Sequence, residues 1–141
     1  MYFRRIILSI CTLVISTPAL SSSLQGKWFS SASYQEGVLC WVNERRADGT
    51  YRVSFLFATP SGIKRHSEEG TWFFSNNLYA TVTNIINGES VDPSDRRLRE
   101  VYKVLRLEDD CFKYSDIGSE AVFEVVRVSD DFAITDNCPS F

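Results

Sequence analysis

The chain has one histidine in 141 residues, and its four cysteines form no Cys-x-x-Cys pair. A transition-metal centre, a zinc site and a dithiol redox site therefore all lack grouped ligands. There is no Gly-x-Ser-x-Gly nucleophile elbow and no glycine-rich phosphate loop, which removes the usual frameworks for acyl and phosphoryl transfer. Carboxylates are paired at Glu68-Glu69, Asp109-Asp110 and Asp130-Asp131, each at a turn or strand end where charge is ordinary solvation. No Asp-x-Asp-x-Asp spacing offers calcium its converging oxygens. His66, in the run Lys64-Arg65-His66-Ser67-Glu68-Glu69, reads as a solvated turn residue rather than a general base oriented by Glu68 or Glu69. No catalytic residue, metal or cofactor is expected, and the chain does not read as an enzyme.

A long hydrophobic run is also missing. Ile6 to Ile15 is apolar, but that is about half of the roughly 20 residues that span a bilayer. Preceded by Arg4 and Arg5, broken by Pro18, and followed by Ala19 and Ser21 at the −3 and −1 positions, it reads as a signal peptide over 1–21, cleaved after Ser21. Cys11 lies inside the apolar core, where lipidation does not occur. The remaining 120 residues suit one domain, and a chain of that size buries about two-thirds of its unfolded surface without help from a metal. Without Arg4 and Arg5, 13 basic residues stand against 18 acidic ones, a net charge of −5. That sign argues against nucleic acid or an anionic membrane as partner. A periplasmic or secreted monomer is expected, and the absence of any Asn-x-Ser/Thr site leans towards a bacterial periplasm.

Export also makes a disulfide plausible for Cys40, Cys111 and Cys138, and the odd number leaves one thiol over. Cys138 lies in the polar tail Asp136-Asn137-Cys138-Pro139, which has no apolar pattern to hold it down. A bridge from Cys138 is therefore expected, drawn here to Cys111 with Cys40 as the other candidate partner.

What the mature chain has in quantity is alternation. Tyr51, Val53, Phe55 and Phe57 alternate with Arg52 and Ser54; Val38, Cys40 and Val42 with Leu39 and Trp41; and Val122, Val126 and Val128 with Phe123, Val125 and Arg127. Trp72 and Phe74 share a face and are followed by Leu78, Ala80 and Val82, while Tyr102 and Val104 alternate with Val101, Lys103 and Leu105. Turn signals at Asp48-Gly49, Pro60-Ser61-Gly62, Asn76-Asn77, Asp109-Asp110 and Ile117-Gly118 separate these runs. Eight or nine short strands at this spacing predict an antiparallel sheet closed into a barrel or folded into a sandwich. The rhythm breaks once, over Asn87 to Arg97, a candidate lid or binding loop in which Asp92-Pro93 could cap one helical turn.

The pieces Gly26-Lys27-Trp28, Asp48-Gly49-Thr50-Tyr51, Gly70-Thr71-Trp72 and Tyr102-Lys103-Val104, with the late Arg127, resemble bacterial lipocalin-like domains of the calycin group. The resemblance covers about residues 24 to 128. It implies an all-β, up-and-down lipocalin-like barrel over 22–128, ahead of a tail at 129–141. It also implies that Trp28 closes one end of the barrel and that Arg127 stacks on its ring, a contact of about 0.5–2 kcal/mol. It further implies a small apolar or amphipathic ligand held in the barrel or at its mouth. Tyr51, Phe55, Phe57, Trp72 and Tyr102 are the candidate lining residues. Rings on that face crowd the interior if they point inward, whereas Ser54, Leu56 and Ala58 would leave space; one-sided burial favours the aromatic face. A filled barrel would instead act on a protein partner through its loops, as an interaction or inhibitor module. The basic groups Arg45-Arg46 and Arg96-Arg97-Arg99 read as solvated charges that protect strand edges, and Trp41 reads as core.

Overall fold

A computed structural model describes residues 24–139; the expected signal peptide, with Ala19 and Ser21, lies outside the described residues. Nine strands follow one another: β1 (Gly26–Tyr34), β2 (Gly37–Arg45), β3 (Thr50–Thr59), β4 (Gly62–Ser75), β5 (Leu78–Ile86), the two-residue β6 (Glu89–Ser90), β7 (Arg99–Leu107), β8 (Cys111–Asp116) and β9 (Val122–Val128). All pairings are antiparallel, and eight strands form an up-and-down barrel in which each pairs with its neighbour in sequence, apart from β6. The barrel closes where β1 meets β9, with Lys27, Trp28 and Phe29 opposite Val128, Arg127 and Val126. β6 is the ninth strand, a short addition to β5 outside the closed ring. The sandwich alternative is thereby excluded.

Local chemistry explains the hairpins. Asn76 and Asn77 (φ 52° and 60°) join β4 to β5, and Asn87 and Gly88 (φ 50° and 83°) join β5 to β6. Two successive left-handed residues make the turn whose twist matches that of the flanking strands, and asparagine and glycine tolerate it best. The two Gly-x-Trp segments use glycine for different reasons. At Gly26 the backbone φ is +103°, and a Cβ would lie 2.8 Å from Arg127 Nη1. At Gly70 the constraint is proximity, because a Cβ there would run into the Val82 carbonyl of β5 beside the register shift at Glu69/Gly70.

Inside the barrel, Trp28, Tyr51, Val53, Trp72, Tyr79, Phe112, Tyr114 and Val125 form a buried cluster capped by Leu24. The aromatic face of β3 does point inward. On β5, however, Tyr79, Thr81 and Thr83 are the buried residues, and Leu78 is exposed. The apolar series Leu78, Ala80, Val82 is therefore the outer face. Thr83 can sit inside because its hydroxyl meets the Tyr51 hydroxyl at 2.6 Å, so burial leaves neither group unpaired.

Three further expectations are corrected. Lys64 to Glu69 is no turn but the first half of β4. The single helical turn, a 3-10 turn at Arg96–Leu98, is capped by Asp95, whose carboxylate accepts from the Arg97 N–H at 3.0 Å. Asp92 instead caps the preceding bend by accepting from the Ser94 N–H at 2.9 Å. Arg45, read as a solvated edge charge, is 2 % exposed and lies inside the barrel.

The disulfide joins Cys40 to Cys138, with Cα atoms 5.6 Å apart, and not Cys111 to Cys138. Cys40 points out of the barrel and forms an external apolar patch with Phe29 and Leu56, on which Phe132 and Ile134 of the tail pack. Lys27 Nζ donates to the Phe132 carbonyl at 3.0 Å, and Arg65 pairs with Asp136 at 3.2 Å. Phe132 and Ile134, in a tail that is mostly polar, thus bring Cys138 across β1–β3. Cys111 is free and partly buried, its sulfur 3.6 Å from Glu124 Oε1. Burial and the Glu124 carboxylate push its thiol upward, away from the reactive thiolate.

Candidate ligand cavity

The barrel has one closed end and one open end. At the closed end Trp28 is fully buried, its indole N–H donates to the Leu24 carbonyl at 3.0 Å, and its ring meets Phe112 edge-on at 5.9 Å. The Arg127 guanidinium lies 4.2 Å from the Trp28 ring centre, and its Nη1 donates to the Gln25 carbonyl at 2.6 Å; its Nε donates to the Asp109 carbonyl. The plug and cation implied by the resemblance are therefore in contact. Trp72 also belongs to this end, with its ring N–H donating to the Arg46 carbonyl at 3.1 Å.

Arg45 lies just above the plug, 4.6 Å from the Tyr79 ring centre and 5.3 Å from that of Phe112. It has no ion-pair partner among the described residues, and its Nε and Nη1 have no hydrogen-bond acceptor. Two ring faces provide what attraction this buried cation receives, supplemented by the Tyr114 hydroxyl. The sequence signal for such a residue is weak. Arg45 stands at the strand end where alternation from Leu39, Trp41 and Asn43 points inward, but a charge at a strand end ordinarily marks solvent.

Above Tyr79 the interior stays open as a cavity of about 250 Å³. Tyr79 and Tyr114 form its lower part. Trp41, Val53 and Phe55 line the side built from β2 and β3, and Tyr102 and Phe123 the side built from β7 and β9. The rings brace one another: Tyr79 stacks on Tyr102 at 5.4 Å, Tyr114 on Phe123 at 5.3 Å, and Trp41 meets Phe123 edge-on at 6.4 Å. Space survives among so many rings because Asn43, Thr81 and Glu68 occupy other wall positions. At the rim Tyr34 is exposed and packs edge-on against Phe57 at 6.4 Å. A shallower apolar hollow of about 550 Å³ lies over Tyr34, Leu39 and Phe57.

Of the five lining residues expected from the sequence, Tyr51, Phe55 and Tyr102 do line the cavity. Phe57 belongs to the outer rim and Trp72 to the closed end, so neither lines it. Missed in the sequence were Glu68 and Glu100. Tyr102 donates its hydroxyl to Glu100 Oε2 at 2.6 Å, and His66 Nε2 lies 2.7 Å from Glu68 Oε1. Both carboxylates alternate in phase with inward-facing neighbours, Gly70 and Tyr102, and that phase was the available signal.

Burial pushes the Tyr51 hydroxyl up to about 12, and it also raises Tyr102 and Tyr114. An unfolded tyrosine titrates near 10, so the folded barrel keeps these protons longer than the unfolded chain. The associated stability is whole below pH 10 and is lost as pH rises towards 12 and beyond. An ultraviolet titration should show these tyrosines ionising late and together with unfolding. Ionisation of all tyrosines near pH 10 with the fold retained would contradict their burial.

The chain matches no protein-family model and no curated protein sequence. Among the described residues no group of three or more histidine, cysteine or acidic side chains is placed to hold a metal ion, and no helix is long and apolar enough to cross a membrane.

Proposed function

We propose that this is an exported, lipocalin-like binding protein that carries one small amphipathic molecule in the barrel. The observation that carries the reading is the cavity itself: the lower half of the barrel is filled by buried side chains, while the upper half is open and walled by rings. An eight-stranded barrel has room either for its own side chains or for one small ligand, and this one divides its length between the two. At about 250 Å³ the space falls below the roughly 300–1,000 Å³ of drug-sized sites, which points to a compact occupant. The Cys40–Cys138 disulfide suits an oxidising compartment, in keeping with export to the periplasm or beyond.

Native mass spectrometry of protein isolated from its own host tests this. A bound small molecule, released on denaturation, is the expected result. Repeated preparations that carry nothing, together with an unshifted Trp41 indole resonance on titration with host metabolite extract, would overturn the reading. The alternative would then stand: a protein-interaction module acting through the loop from Asn87 to Arg97. That loop is preorganised, since Asp95 holds Arg97 through a 2.7 Å ion pair and Arg99 donates to the Pro93 carbonyl at 3.0 Å.

A further inference from the structure

The cavity's charged groups are all of one sign. Among the described residues that line it, the charged ones are Glu68 and Glu100, and no lysine, arginine or histidine joins them. Glu100 engages Tyr102 and Thr81 through Oε2, and Glu68 engages His66 through Oε1, which leaves the second oxygen of each carboxylate to be met. Two further lining atoms are buried without any partner: Asn43 Oδ1, an acceptor, and the hydroxyl of Tyr79, a residue 1 % exposed. A buried polar atom without a partner is costly, and a ligand that completes it recovers the cost. The surrounding rings present negative π-faces. Arg45 lies on the far side of the Tyr79 ring and is not part of the lining.

An anionic head group would face two carboxylates and an amide oxygen here. A neutral apolar ligand would leave Asn43 Oδ1 and the Tyr79 hydroxyl as they are. A group that only donates, carries positive charge and favours ring faces answers every feature of the wall. Resting on the carrier reading above, we infer that the ligand is a small organic ammonium on an apolar body. Its N–H groups are met by Glu68, Glu100 and Asn43, and its body lies among Trp41, Phe55 and Phe123. Rings bind cations, and carboxylates hold ammonium through charge-assisted hydrogen bonds; this cavity presents both.

Three probes of one shape separate the outcomes: 2-phenylethylamine, 2-phenylethanol and phenylacetate, each titrated calorimetrically into the mature protein at neutral pH. The amine should bind about tenfold tighter than the alcohol, with phenylacetate weakest. In Glu100→Gln, a change at an exposed strand position that keeps the shape of the side chain, the preference for amine over alcohol should fall by about tenfold. Equal binding of amine and alcohol, or an unchanged preference in the variant, would leave the carrier reading intact and overturn the ammonium assignment. Tighter binding of phenylacetate would overturn it too. If none of the three binds, the ammonium assignment falls, and the native mass spectrometry above decides the carrier reading.

Discussion

Replacing Trp28 by alanine should lower the unfolding free energy by about 3–5 kcal/mol, the range for removing a buried tryptophan. Trp28 is fully buried, and three interactions depend on its ring at once. Its N–H satisfies the Leu24 carbonyl, its edge packs on Phe112, and its face receives the Arg127 guanidinium at 4.2 Å. Alanine would leave a carbonyl unpaired, a void above Phe112, and a cation that has lost its ring. Trp28→Phe keeps much of the volume and a ring face but not the N–H donor, so about 1–2 kcal/mol is expected for it. Urea unfolding of the three proteins measures both differences. If Trp28→Ala costs under about 1 kcal/mol, the closed end is not held by its plug.

Removing the disulfide should cost a similar amount for an entirely different reason. Cys40 and Cys138 are 98 residues apart in sequence, and cross-linking a loop of that length restricts the unfolded chain by about 4–5 kcal/mol on the chain-entropy account. Cys40→Ala with Cys138→Ala should therefore shift the urea midpoint strongly while leaving the barrel closed, because no barrel strand lies beyond Val128. The tail has other holds, namely Phe132 and Ile134 on the outer patch and the Arg65–Asp136 pair. These are local and should not replace the cross-link. Hydrogen exchange in the double variant should rise over 129–138 and stay low in the strands. A loss under about 1 kcal/mol would show that tail packing suffices and that the bond adds little.

Much of this fold was legible in the sequence because a half-buried strand alternates and a two-residue hairpin needs particular residues. Asn76-Asn77 and Asn87-Gly88 announce their turns through conformations few other residues tolerate, and Tyr51, Val53 and Phe55 announce their face by size. Where the reading went astray, apolar character and burial had come apart. Thr81 and Thr83 are inside while Leu78 is outside, and the Tyr51–Thr83 hydroxyl pair shows how polar atoms can be accommodated. Arg45 is inside because two rings face its guanidinium, a neighbourhood created by β5 and β8 that no local window contains. The tail's attachment was hidden for a similar reason: Phe132-Ala133-Ile134 is a short apolar run in a mostly polar stretch, and the partner surface of Phe132 and Ile134 is assembled from Phe29, Cys40 and Leu56 on three strands. In the candidate site, the rings were visible and the two carboxylates were not, since a glutamate beside other charges reads as solvent-facing until its register is known.

The closing seam bears on how the ring is expected to fold. Every other barrel pairing joins strands that are neighbours along the chain or nearly so, and each can form as a local hairpin. The pairing of Lys27, Trp28 and Phe29 with Val126, Arg127 and Val128 joins the two extremes of the barrel through three residue pairs. Its loop-closure entropy must be met before its contacts give any return. On loop-closure entropy alone the seam is expected to form last, and until it closes the edges of β1 and β9 are open to pairing with other chains. The Arg127–Trp28 stack, which spans this seam, is then a latch on a finished ring as much as a lid on its floor.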